Sequence, residues 1–193
     1  MVVGVLAFQG DFAEHMQVLN RLHVPSLEVR TKDDLSKIDA LIIPGGESTV
    51  IAKFLVSTGV GRELQRRISD RGHPLAVYGT CAGAIVLARK AIGKNAPRTL
   101  NLIDITVDRN AYGTQIESFE TVLNVRGIKE PLSVAFIRAP KITRCGRKVE
   151  VLADDQGLPV LVRQGRVLVG TFHPEVRAET AIHRYFLERV AKA

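Results

Sequence analysis

Cysteine is nearly missing from this chain: its 193 residues include two, Cys81 and Cys145. Two cannot build a disulfide framework, so a reducing cytoplasm is the expected compartment. No apolar run approaches the roughly 20 residues that a membrane span needs. The opening M-V-V-G-V-L-A-F-Q-G-D lacks a basic stretch and meets Asp11 almost at once, so it reads as a first strand and not as a secretory signal. Phe and Tyr are few, and no helix-turn-helix, zinc-ligand or RNP-like signature occurs. That weighs against nucleic acid, which the formal charge of +7 would otherwise invite. Lys and Arg are scattered through every segment, and an acidic protein partner or a carboxylate substrate accounts for the charge as well. Neither nucleic acid nor a membrane is expected as a partner. Repeats, low-complexity tracts and long linkers are also absent. The length most simply means one domain, residues 1–193, and a chain this long buries roughly 70% of its unfolded surface.

What is present alternates. Val2 to Phe8 reads as a buried strand, and Asp11 to Leu22 as a helix with Phe12, Met16 and Leu19 on its apolar side. Ser26 to Arg30 and Ile38 to Ile43 are strands, and a helix with Val50, Ile51, Phe54 and Leu55 starts near Ser48. A helix over Gly61 to Asp70, a strand over Leu75 to Tyr78 and a helix over Ala82 to Ile92 follow. Continuous apolar strands separated by helices predict a parallel sheet covered on both faces. The second half changes character. Ile103 to Asp108, Phe119 to Val125, Ser133 to Arg138, Lys148 to Ala153, Leu158 to Arg163 and Val167 to Thr171 are short strand candidates. Glycines punctuate them, which predicts hairpins or an antiparallel extension. Ala178, Ala181, Ile182, Tyr185, Phe186 and Val190 make one stripe of a closing helix. The expected fold class is α/β.

Gly79-Thr80-Cys81-Ala82-Gly83 stands between an apolar strand and a helical pattern, the layout of a nucleophile elbow with Cys in place of Ser. The turn is sharp, and side chains at its flanks would collide with neighbouring elements; glycine removes the collision. The sulfur then projects from the carboxyl edge of the sheet at a helix N-terminus, where dipole and free N–H groups favour thiolate over thiol. The Ala82 N–H is placed to donate to an oxyanion beside that sulfur. The pentapeptide alone would also suit a cysteine that merely packs. Cys145, in I-T-R-C-G-R, lacks this setting and reads as structural.

A thiolate nucleophile needs a proton carrier. Of the five histidines, His15, His23 and His183 fall on predicted helices and His73 in a turn before Pro74. His173 alone ends an apolar strand, V-L-V-G-T-F, and its context is H-P-E. In an extended chain residues two apart share a side, so Glu175 can approach the imidazole, fix its tautomer and stabilise the imidazolium. A surface His beside an unrelated Glu is the bland alternative. P-G-G-E-S-T, residues 44 to 49, again links a strand to a helix, so it should open on the same edge as Cys81. Its glycines let the backbone approach a ligand, and such a loop commonly supplies a second oxyanion donor. Read alone it is a turn with a helix cap at Ser48; the Walker pattern and its Lys are absent.

Together these pieces resemble the class I, or triad, glutamine amidotransferases, and within them the glutaminase subunits of pyridoxal 5′-phosphate synthase complexes. V-G-V-L-A-F-Q-G-D-F-A-E-H, P-G-G-E-S-T, Y-G-T-C-A-G-A-I, V-D-R-N-A-Y-G-T-Q-I-E-S-F-E, F-I-R-A-P and T-F-H-P-E carry the resemblance, in that family's order, from residue 2 to the closing helix. It implies a flavodoxin-like three-layer sandwich and hydrolysis of L-glutamine to L-glutamate and ammonia. Cys81 would be nucleophile, His173 acid/base and Glu175 its orienter. Gly46 and Ala82 would form the oxyanion hole. Gly46, Glu47, Ser48, Arg109, Ile137 and Arg138 would bind glutamine, a guanidinium suiting its α-carboxylate. Tyr112 and Thr114 read as ordinary variation. The resemblance further implies a (β/α)8-barrel synthase subunit that receives the ammonia, no cofactor and no metal in this chain, and weak or silent activity alone. A Gly45–Gly46 peptide that turns its donor inward on docking would explain the silence, with Gln9-Gly10-Asp11 sensing the partner. The rival readings are a glutaminase serving another synthase, a cysteine peptidase or esterase, and a redox-sensing module of similar fold.

Overall fold

A computed structural model describes residues 1–70, 72–109, 118–177 and 179–192. Residues 110–117, Tyr112 and Thr114 among them, and Ala178 lie outside the described residues, and with them the sequence readings made there. The first half runs β1 (Val3–Leu6), α1 (Phe12–Arg21), β2 (Ser26–Val29), α2 (Lys32–Leu35), β3 (Ala40–Ile43), α3 (Ser48–Ser57), α4 (Val60–Ile68), β4 (Ala76–Thr80) and α5 (Ala82–Leu87). The second runs β5 (Ala88–Ile92), β6 (Ile103–Asp108), β7 (Phe119–Leu123), β8 (Leu132–Phe136), β9 (Lys141–Cys145), β10 (Glu150–Asp155), β11 (Leu158–Gln164) and β12 (Val167–Gly170). A 3-10 turn, Glu175–Arg177, precedes α6 (Ala181–Tyr185), which continues as a π-helical stretch over Phe186–Val190.

The main sheet has the order β10-β11-β12-β4-β3-β1-β2. From β2 to β12 neighbouring strands are parallel, while β11 and β10 extend the sheet antiparallel. The expected mostly parallel sheet with an antiparallel extension is therefore present, in flavodoxin-like strand order. The alternation of side chains explains the three layers. Leu6, Leu41, Ile43, Val77 and Val169 pack with Leu35, Ile51, Leu64 and Val86 of α2 to α5. Val3, Val5, Ile42, Tyr78 and Leu168 face the other way, onto Leu19 of α1 and Ile182 and Phe186 at the C-terminus. Both faces are buried, so these strands carry almost no polar residue. Among the described residues no helix is long and apolar enough to cross a membrane.

Several boundaries differ from expectation. The predicted helix over Ala82 to Ile92 stops at Leu87, and Ala88–Ile92 pairs with β6 as a parallel strand. The cause is tertiary. Leu100, Leu102 and Asn101 donate their N–H groups to the carbonyls of Val86, Leu87 and Ala88, which the next helical turn would otherwise occupy. β9 was not foreseen; its Lys and Arg obscure the alternation, and it pairs antiparallel with β6. The short α2 was also missed, although Thr31 and Asp34 form a capping box there. The first strand is Val3–Leu6, shorter than Val2 to Phe8, because the chain turns at Phe8 towards the loop after β3.

Candidate active site

β12, β4, β3 and β1 are neighbours in the sheet, so the loops leaving their carboxyl ends meet on one edge. From β4 the chain turns sharply at Cys81, whose φ is 47° and ψ −100°. That is left-handed backbone in a non-glycine residue, held from below by the Cys81 N–H donating to the Gly170 carbonyl at 2.9 Å. The flanking glycines are sterically required. A Cβ on Gly83 would lie 2.2 Å from the Ile43 carbonyl oxygen, and one on Gly79 would lie 2.6 Å from Leu87 Cδ1 and 2.8 Å from the Gly83 carbonyl carbon. The elbow brings its strand and helix too close for any side chain at either position. Cys81 is 8% exposed. Ala82 opens α5, so its N–H has no carbonyl within the helix to bind.

His173 follows β12 and is fixed by its N–H, which donates to the Ala135 carbonyl at 2.8 Å. It is 4% exposed, not the surface histidine of the bland reading. Glu175 does not continue an extended chain: it opens the 3-10 turn. The bend still delivers its carboxylate, with Oε1 2.8 Å from His173 Nδ1. A second carboxylate, Asp11 at the start of α1, lies 3.4 Å from the same nitrogen. Burial alone would pull the imidazole down; the polar groups of Asp11, Cys81 and Glu175 around it outweigh that and push the ring up to about 12. His173 Nε2 lies within electrostatic reach of Cys81 but makes no hydrogen bond of ordinary geometry. Burial raises Glu175, against the pull of His173, and Asp11 is lowered chiefly by its hydrogen bond to His173. Asp11, His173 and Glu175 offer ligand atoms within 4.8 Å of one another.

The loop after β3 packs against this group. A Cβ on Gly45 would meet His173 Cε1 at 2.4 Å, and one on Gly46, whose φ is +138°, would meet Gln9 Oε1 at 2.5 Å. The Gly45 carbonyl accepts from the Asp11 N–H at 3.4 Å, so the trans peptide sends the Gly46 N–H to the opposite side. Gln9 Oε1 accepts from the Glu47 N–H at 2.6 Å. The helix cap is Glu47, not Ser48: its carboxylate accepts from the Thr49 N–H and hydroxyl. Ser48 is the first helical residue, buried, and its Oγ makes no hydrogen bond among the described residues. Arg109 donates to Glu47 Oε1 at 2.6 Å and to the Asn95 carbonyl at 2.8 Å. Arg138, exposed and at φ 45°, adds its charge to the pull on Glu47; Ile137 beside it is half-buried.

The sequence-predicted residues thus fall into two groups that share one edge, Cys81 with His173 and Glu175, and Glu47 with Arg109 and Arg138. Cys145 is apart, half-buried in β9, its thiol raised by burial. Sequence reasoning named Gln9 and Asp11 as part of a docking segment and not as neighbours of His173 and its loop, and it passed over His15 as a helix residue. The signal available was the spacing of Asp11 and His15, one turn apart on the start of α1 and hence on one face.

A profile of the SNO glutamine amidotransferase family matches residues 5–192. A Thermus thermophilus protein named pyridoxal 5′-phosphate synthase subunit PdxT is 51% identical over 187 residues, 97% of this chain and 96% of that protein. The PdxT of Thermotoga neapolitana is 46% identical over 98% of this chain and its own full length. A crystal structure of a glutamine amidotransferase superposes with a TM-score of 0.92 at 49% identity, covering both chains completely. With an elbow cysteine, a carboxylate-backed histidine and a match along nearly its whole length, the chain belongs to the SNO glutamine amidotransferase family.

Proposed function

We propose that the chain, acting as one domain over residues 1–193, hydrolyses L-glutamine to L-glutamate and ammonia. It passes the ammonia to the synthase subunit of a pyridoxal 5′-phosphate synthase, as the names of its relatives suggest. With the thiol proton already on His173 Nε2, the Cys81 sulfur attacks the side-chain amide carbon of glutamine as the thiolate of an ion pair. Negative charge on the former carbonyl oxygen is met by the Ala82 and Gly46 N–H groups. His173 returns its proton to the departing nitrogen, so ammonia leaves and a thioester remains. A water, deprotonated by His173, cleaves the thioester and releases glutamate, which restores the Cys81 thiolate beside the imidazolium. Glu175 holds the imidazole and balances its charge throughout. Arg109 and Arg138, with Glu47, Ser48, Gly46 and Ile137, recognise the amino-acid end of the substrate. Ammonia released into neutral water is mostly protonated and lost as a nucleophile, which is why a docked synthase is part of the reading. Gln9 and Asp11, which grip the Gly45–Glu47 backbone, are the segment through which docking would reset the Gly46 donor. The compartment we infer is the cytoplasm.

The observation that carries this reading is the strained Cys81 set beside an imidazole whose far nitrogen is 2.8 Å from a buried carboxylate. Ammonia release from glutamine, with and without a synthase subunit, tests it. Native chain with synthase should release ammonia, and Cys81→Ala should not. Equal rates with and without synthase would remove the docking step; faster turnover of ester or peptide substrates would replace the activity.

A further inference from the structure

One oxygen of Glu175 serves His173; the other faces the protein interior. Oε2 is buried and, among the described residues, makes no hydrogen bond. An ionised oxygen left in that state is costly. His15 Nε2 faces it at 3.5 Å, from a ring that is fully buried on α1. The same Nε2 lies 3.2 Å from Thr80 Oγ1, and His15 Nδ1 lies 2.8 Å from Nε2 of the fully buried His183 on α6. A chain of side chains therefore runs from the carboxylate beside His173 through α1 to α6, within the layer that covers one face of the sheet.

The chemistry of the carboxylate sets the protons in that chain. Burial lowers both rings, His15 well below the usual range and His183 to about 4, so each carries one proton at neutral pH. An ionised carboxylate only accepts hydrogen bonds. The His15 proton then belongs on Nε2, shared between Glu175 Oε2 and Thr80 Oγ1. Nδ1 becomes the acceptor for the His183 Nε2–H, and His183 Nδ1 is left bare, in keeping with its lack of a hydrogen bond. The reverse order would give the Glu179 carbonyl a hydrogen bond from His183 Nδ1–H, but at the larger cost of setting a lone pair of His15 against the ionised, buried Oε2.

We propose that His15 is a positioning residue: its Nε2–H, oriented by His183 and Thr80, holds Glu175 Oε2 so that Oε1 stays on His173 Nδ1. The role rests on the Cys81–His173–Glu175 reading above. The groups that face His15 are His183 from α6, Tyr78 and Thr80 from β4, Glu175 from the 3-10 turn and His173 before it. Asp11, one turn before His15 at the start of α1, meets His173 instead. Removing the donor makes the carboxylate easier to protonate, so activity is lost at a higher pH on the acid side.

The test compares ammonia release by the glutaminase–synthase complex across pH for the native chain, His15→Leu and His15→Gln. Glutamine can place an amide N–H where Nε2 stands; leucine cannot. His15→Leu should lower kcat by about tenfold to a hundredfold, with KM close to native, and shift the acid limb upward. His15→Gln should recover most of the rate and the native limb. Equal losses in both variants, or an unmoved limb, would overturn the proposal. A second measurement needs no variant: 15N NMR of the native chain's imidazoles should find the His15 proton on Nε2, and finding it on Nδ1 would equally overturn it. That readout does not involve glutamine. A native complex that released no ammonia would sink the proposed activity, while the tautomer would still decide the role of His15.

Discussion

Two carboxylates compete for one nitrogen of His173, and their environments differ enough to predict unequal roles. Glu175 Oε1 is 2.8 Å from Nδ1 with a side chain that is 0% exposed; Asp11 Oδ2 is 3.4 Å away and 39% exposed. Glu175→Gln keeps the shape and removes the charge. Opposite charges about 4 Å apart at an effective dielectric of 20 attract by about 4 kcal/mol. A hydrogen bond to a charged group is worth about 1.5–3 kcal/mol. The two figures bracket a loss in kcat of roughly tenfold to a thousandfold. Asp11→Asn removes a charge that water screens, as at an exposed ion pair worth about 0.2–1 kcal/mol, so its loss should stay within about fivefold. The double variant should lose more than the product of the single losses, because Asp11 is what still balances the imidazolium once Glu175 is neutral. The assay is steady-state ammonia release by the complex at saturating glutamine, with thermal melts to confirm folding. A Glu175→Gln loss below tenfold, or Asp11→Asn costing more than Glu175→Gln, would refute the reasoning.

Gly83→Ala should destabilise the fold by about 1–3 kcal/mol in chemical denaturation, near the upper end, because the obstacle at 2.2 Å is the Ile43 backbone carbonyl and cannot rotate away. Wild-type stability there would show that β3 and α5 are not so closely packed. Arg109→Ala should raise KM for glutamine about tenfold and leave kcat within a few-fold, since it removes a 2.6 Å grip on Glu47 and not a group at the reacting atoms; Arg109→Lys should not restore it, and a kcat-only effect would contradict the assignment. Stability should fall as pH drops from about 6.5 towards the folded-state value near 4 of His183. That ring and His15 are kept neutral by burial, while the unfolded chain takes up the protons, about 1.4 kcal/mol per pH unit for each ring at most. His173, raised when folded, adds no slope in that window, because its stabilisation is complete below its unfolded value. Glu175, raised by burial, pulls the other way. Denaturation at pH 7 and pH 5 measures the balance, and a rise in stability towards pH 5 would refute it.

The parts of the site legible in the sequence are those where a strand passes directly into a loop or helix. Gly79 and Gly83 mark a backbone crossing so tight that their missing side chains are the signal, and in the H-P-E run a single intervening residue brings Glu175 to His173. Strand order is a different kind of fact. Asp11 and His15 reach His173 and Glu175 because β1, β3, β4 and β12 lie side by side, and no local pattern encodes which strands are neighbours. His183 is farther still, 168 residues from the ring it touches. The same limit explains the errors in helix ends. Ala88 to Ile92 reads as helix by composition, but residues 100–102 return to claim the carbonyls of α5. Ser48 reads as a cap by residue type, yet Glu47 takes the cap because Arg109, 62 residues on, holds the same carboxylate in place. Each polar group at a chain end can be satisfied locally or from a distance, and where the distant partner is charged or backbone it displaces the local choice. The buried oxygen of Glu175 poses the same question: the 3-10 turn that carries it offers no donor, and the nearest candidate, His15 on α1, is 160 residues away in sequence and 3.5 Å away in space.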